Sequence, residues 1–110
     1  MRRVLIVSPH FPPDSSAASH RVRLLAPHLP AAGWQPTVVT LEPSGYEGRL
    51  DRELVALVPP SLEIVRAPVW PPSATRWLGL GDLGLRAYTG LRRVCRQRLA
   101  REHFDALFKI

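Results

Sequence analysis

The chain has 110 residues, which is enough for one small domain and too few for two. Hydrophobic residues make up 45% of it and charged residues 22%, a globular composition that excludes a disordered tail. The single cysteine, Cys95, excludes an intrachain disulfide framework and a multi-cysteine zinc site. No apolar run approaches the roughly 18 residues of a membrane span, and Val4–Val7 is too short for a signal-peptide core, so we expect a cytoplasmic protein.

The positive charge is concentrated in one segment. The formal net charge is +6, and residues 64–101 alone contribute +7, from eight arginines and one acid, Asp82. Residues 1–63 sum to zero and residues 102–110 to −1. This asymmetry indicates a nearby anionic surface, whether lipid, nucleic acid or a phosphorylated substrate.

The chain begins with a predicted strand followed by a loop. Residues Arg3–Ser8 are apolar on both faces, as a central parallel strand must be, and Pro9 ends the run. The turn-forming residues Pro12–Ser16 predict a loop in which Ser15 or Ser16 is a helix N-cap.

An amphipathic helix is predicted over residues Ala17–Ala32. Its apolar positions recur at three- and four-residue spacing: Ala18, Val22, Leu25, Ala26 and Leu29. Pro27 predicts a kink or a weakened middle turn, and Pro30 and Gly33 end the helix.

The middle of the chain predicts two more strands around a short helix. Pro36–Leu41 and Leu62–Arg66 are β-rich runs, and residues 51–58 between them predict the helix. Residues 42–49 and 67–75 contain several prolines or glycines and predict loops, whereas residues 77–84 are ambiguous.

The last third predicts a long basic helix over residues 85–101 and a fourth strand over residues 104–110. The apolar face of the helix is predicted to consist of Leu85, Tyr88, Leu91, Val94, Cys95 and Leu99. On that face Cys95 is expected to be a buried small hydrophobic residue.

The alternation of strands and helices predicts an α/β fold, a Rossmann-like parallel sheet with flanking helices. Ligands of such sheets bind outside the carboxyl ends of the strands, where the first loop lies. The start of the first helix favours an anion there, while the alternative is that the serines merely cap the helix. The predicted substrate-binding residues are Ser15, Ser16, Ala17, Ala18, His20 and Arg21. No glycine-rich dinucleotide fingerprint and no P-loop lysine follow the strand, which disfavours dehydrogenases and P-loop enzymes.

Two segments resemble the amino-terminal region of family-4 glycosyltransferases. The first is Pro9–Ser16 (PHFPPDSS), and the second is Ala32–Thr40 (AGWQPTVVT), with an amphipathic helix between them. The resemblance is strongest over residues 3–41, and the order of elements is compatible with it as far as residue 110. It implies that the chain is an incomplete amino-terminal half of a GT-B fold, the acceptor-side Rossmann-like domain.

The resemblance also implies an activity, which is transfer of a sugar with retention from a nucleotide-sugar donor to an acceptor hydroxyl. It implies no metal and no cofactor besides the nucleotide sugar as co-substrate, and it places the donor-binding domain outside residues 1–110. The fragment alone is expected to be inactive. A glycine pair common in the family is replaced here by Ser15–Ala18, and no histidine maps onto the family's active-site histidine, so no catalytic residue is assigned.

The basic helix has three possible interpretations. It is the outward face of a helix packed on the sheet, a surface that docks on an anionic membrane, or a nucleic-acid contact, which no recognition motif supports. The membrane-facing candidates are Arg86, Arg92, Arg93 and Arg96. Docking would place the protein peripherally at the inner face of the membrane. Trp70 and Trp77 either line an acceptor groove or cover a sheet edge. The alternative to the enzyme is therefore a non-catalytic Rossmann-like module that docks on an anionic membrane or a partner protein.

Overall fold

The computed structural model describes residues 1–43, 50–69 and 83–110, and in residues 83–86 it describes the helical backbone. The strands are Arg2–Val7 (β1), Trp34–Leu41 (β2), Glu63–Ala67 (β3) and Ala106–Lys109 (β4). The α-helices are Ala17–Leu25 (α1), Glu53–Ala56 (α2) and Leu83–Arg101 (α3). Each of these elements was predicted from the sequence, and apart from the end of α1 the predicted ends differ by at most two residues.

The four described strands form a single parallel sheet in the order β3-β2-β1-β4. In its register, Ile6 of β1 lies between Val38 of β2 and Phe108 of β4. The prediction of a central first strand is confirmed, since β1 has a neighbour on both sides and Leu5 and Ile6 are fully buried. This topology is a Rossmann-like α/β arrangement.

The core lies on both faces of the sheet because helices cover both. On one face, Val22 of α1 and Ala26, the first residue of the following 3₁₀ turn, pack with Ile6 and Val38. On the other face, Ala87 of α3 packs with the buried ends of β2 and β3. Side chains alternate between the two faces of a strand, so each face receives every second apolar residue of these strands.

The predicted helix Ala17–Ala32 is wrong in its second half. The α-helix ends at Leu25, and the chain continues as two 3₁₀ turns, Ala26–His28 and Pro30–Ala32. Pro27 and Pro30 have no N–H to donate to the preceding turn, so an α-helical ladder cannot continue through them. Gly33 ends the segment in the left-handed region, with φ of 88°, as the sequence predicted.

The predicted apolar face of α3 is also wrong in part. Tyr88 is 60% exposed and Leu99 is 47% exposed, whereas Ala87 and Gly90 are buried. At Gly90 the helix lies so close to Pro68 that an added Cβ would collide with the Pro68 carbonyl oxygen. The two small residues let the helix approach the sheet side, and this close contact rotates the larger Tyr88 and Leu99 outward.

Cys95 is half-buried on α3, and desolvation by burial raises the pKa of its thiol. The predicted loop segments 44–49 and 70–75, the ambiguous residues 77–82 and both Trp70 and Trp77 lie outside the described residues. Among the helices in the described part of the chain, none is long and apolar enough to span a membrane.

Candidate functional site

The strand order locates the point where a ligand is expected. From β1 the chain first builds the sheet outward through β2 and β3, and then returns to place β4 on the other side of β1. In parallel sheets of this kind the crevice lies outside the carboxyl ends of the two strands that flank the reversal, here β1 and β4. The loop of residues 8–16, which connects β1 to α1, therefore borders the crevice.

This first loop is packed into the molecule rather than spread over its surface. Phe11 is fully buried in the core cluster beneath α1, and Pro12, Pro13 and Asp14 are buried as well. A buried loop must satisfy its backbone polar groups. Four successive loop carbonyls do accept hydrogen bonds. The His10 carbonyl accepts from Ser8 Oγ at 2.6 Å, and the Phe11 carbonyl accepts from the Asp14 N–H at 3.0 Å. The Pro12 carbonyl accepts from Arg66 Nη2 at 2.6 Å, and the Pro13 carbonyl accepts from the Asp51 N–H at 2.7 Å.

Arg66 joins the loop to the sheet. This side chain, half-buried on β3, donates from Nη1 to the Leu41 carbonyl at 2.8 Å and from Nη2 to the Pro12 carbonyl at 2.6 Å. Its guanidinium also lies 5.8 Å from the centroid of the Phe11 ring. One cation thereby fixes the first loop against the carboxyl end of β2.

Asp14 organises the polar part of the loop. Asp14 is 5% exposed. Its Oδ2 lies 2.7 Å from His10 Nδ1 and accepts a hydrogen bond from Ser16 Oγ at 2.7 Å. A buried carboxylate needs such donors because its desolvation is otherwise costly. When His10 Nδ1 carries the proton that faces Asp14, the opposite ring nitrogen is the acceptor. The His10 side chain is 37% exposed, so the ring reaches the surface at the end of β1.

The start of α1 has the cap that the sequence predicted, and Ser16 provides it. Ser16 Oγ accepts from Ser19 N at 3.4 Å while donating to Asp14. The Ser16 hydroxyl is thus committed to holding the helix start. What α1 offers a ligand at this end is the positive end of its dipole and the N–H groups of its first turn, at the exposed Ala17 and the half-buried Ala18.

The other predicted binding residues lie next to different parts of the molecule. Ser15 borders a polar depression with residues 50–53. His20 is half-buried, with Nδ1 at 3.3 Å from Arg23 Nη2. Arg21 is exposed and borders the same open depression as Lys109 at the end of β4. The six predicted residues therefore share one end of α1 but do not converge on one pocket.

The predicted membrane-facing arginines Arg92, Arg93 and Arg96 are exposed on α3. Among the described residues none of the three forms an ion pair, whereas Arg98 is paired with Glu63 at 2.9 Å and with Glu102 at 3.4 Å. The side chain of Arg86 lies outside the described residues.

Sequence reasoning missed the His10–Asp14 pair and the role of Arg66. The spacing of His10 and Asp14 resembles one helical turn, but the residues lie in a proline-rich loop where spacing predicts no contact. Arg66 lies 54 residues from Pro12, so only the three-dimensional fold brings them together. The one available signal was an acid directly after two prolines and before a helix, which is a position typical of side chains that bond to a loop backbone.

Comparison with known proteins identifies no relative. No family model, no curated protein and no solved structure matches this chain.

Proposed function

We propose that residues 1–110 are the acceptor-side, Rossmann-like part of a retaining GT-B glycosyltransferase. The observation that carries the proposal is the position of the first loop. This loop carries the PHFPPDSS sequence, and it lies at the carboxyl ends of β1 and β4, next to the start of α1. The resemblance in sequence and the topology of the sheet point to the same segment.

The proposed reaction joins an acceptor hydroxyl to the anomeric carbon of a nucleotide sugar. A new carbon–oxygen bond forms to the acceptor while the bond between the anomeric carbon and the phosphate oxygen breaks. The electron pair of that bond leaves with the nucleoside diphosphate, which also takes up the acceptor proton. Groups that stabilise the leaving phosphate are worth the most when they are fixed before the reaction.

Within this proposal the chain's own residues bind and orient the reactants. The first-turn N–H groups of α1 and its dipole stabilise negative charge next to the crevice. The contact of Asp14 with His10 and the hydrogen bond that Asp14 accepts from Ser16 hold the loop at the start of α1. Because Arg66 fixes the loop, these groups keep their positions without help from the ligand.

The proposal requires a donor-binding domain, which residues 1–110 do not provide. The test is to read the open reading frame beyond codon 110, to express the whole product and to measure sugar transfer with the configuration of the product. We expect a second α/β domain, retention of configuration, and no transfer by residues 1–110 alone. A whole product without such a domain, an inverted product, or transfer by the isolated 110 residues contradicts the proposal.

A second candidate function, docking on an anionic membrane, is favoured by the outer face of α3. Tyr88, Arg92, Arg96 and Leu99 follow one another at helical spacing, and all four are exposed. Helices that lie in a membrane interface combine Lys or Arg with aromatic and aliphatic side chains that reach the lipid, and here Tyr88 and Leu99 flank the two arginines. The corrected orientation of α3 therefore exposes apolar groups beside arginines that form no ion pair with a described acid.

Vesicle co-sedimentation tests this docking. Changing Arg92, Arg93 and Arg96 to Gln removes three charges, each worth about 1 kcal/mol near anionic lipid, or about two decades of partitioning in total. The matched control changes the exposed Arg2, Arg52 and Arg101 to Gln, which removes the same charge outside residues 88–99. Equal binding of the two variants to anionic vesicles, or no binding by the parent at low salt, contradicts membrane docking.

A further inference from the structure

We draw no further inference here: the strongest candidate, the small cleft between the 3₁₀ turns after α1 and the turn at residues 59–62, is lined mostly by prolines and other apolar residues, and nothing in the described part of the chain shows what would occupy it.

Discussion

Replacing Arg66 with Met removes the cation that fixes the first loop. The substitution keeps an unbranched apolar chain of similar length but leaves the Leu41 and Pro12 carbonyls without the donors that lie at 2.8 and 2.6 Å. It also removes the cation above the Phe11 ring. The consequences should therefore appear in the loop and in global stability together.

The expected cost follows from these contacts. A hydrogen bond from a charged donor contributes about 1.5–3 kcal/mol, and the lower end applies because Arg66 is only half-buried. A cation over an aromatic ring adds about 0.5–1 kcal/mol. Two hydrogen bonds and the ring contact give a loss of about 3–4 kcal/mol in the free energy of unfolding. Arg66→Lys, whose single ammonium group reaches one carbonyl, should lose about half of that.

Urea unfolding followed by tryptophan fluorescence measures the loss. With a dependence of about 1.5 kcal/mol per molar urea, the midpoint of Arg66→Met falls by about 2 M. Hydrogen exchange of the Asp14 amide, which donates to Phe11 O, should accelerate as well. Arg101→Met is the control, an exposed arginine whose loss should change stability by less than about 0.5 kcal/mol. If Arg66→Met is as stable as this control, the loop is not fixed by Arg66 and the reasoning is refuted.

Three further substitutions or reactions test other parts of the structure. Gly90→Ala should destabilise the protein by about 1–3 kcal/mol in urea unfolding, because the new Cβ collides with Pro68 even though alanine is the better helix former. Equal or greater stability would show that α3 does not approach Pro68 this closely. The backbone N–H of Arg3 donates to Asp105 and lowers the pKa of that carboxyl below its ordinary 3.8, so its stabilisation is present at neutral pH and is lost as pH falls through the folded pKa. Asp105→Asn should therefore be less stable than the parent at pH 7, and the difference should shrink as the pH falls below 3.8. A difference that does not depend on pH would contradict this. Burial raises the pKa of the Cys95 thiol, so iodoacetamide at pH 8 should modify the folded chain more slowly than the chain in urea, and equal rates would place the thiol in open water.

The parallel sheet and the central position of its first strand could be predicted because their signals lie in short stretches of sequence. Arg3–Ser8 is apolar on both faces, which only a central parallel strand requires, and β1 is flanked by β2 and β4. Gly33 ends the first helical segment with the positive φ that glycine permits. Signals of this kind depend on residues that are close in sequence, within one helical turn or a few residues of a strand.

Two features could not be predicted because they depend on distant contacts. The rotation of α3 is set by the close approach of Gly90 to Pro68, and periodicity alone favoured the larger Tyr88 and Leu99 as the packed residues. Loops usually run over the protein surface, yet Phe11 of the proline-rich loop after β1 is fully buried. Its burial is possible because residues from β3 and from the chain near α2 satisfy the loop carbonyls.

The candidate site also combines features that the sequence predicts with features that only the folded chain brings together. The N-cap and the position of the first loop at the carboxyl edge follow from sequence order alone. The contribution of Ser16 to binding stays a prediction, and its hydroxyl is engaged by Asp14 and by the helix start. The contact between His10 and Asp14 required the folded loop.

The measurement that tests the central claim most directly is the kcat/KM for sugar transfer by the whole reading-frame product carrying Ala17→Tyr. Ala17 is exposed at the first turn of α1, so the substitution leaves the Ser16–Asp14 cap intact and fills the space beside the crevice. Ala100→Tyr, at an equally exposed position near the end of α3, is the matched control. We predict that Ala17→Tyr lowers kcat/KM at least tenfold, a loss of about 1.4 kcal/mol of transition-state stabilisation, while Ala100→Tyr changes nothing. Equal values for both variants and the parent, with the fold intact, would contradict a ligand site at the first loop.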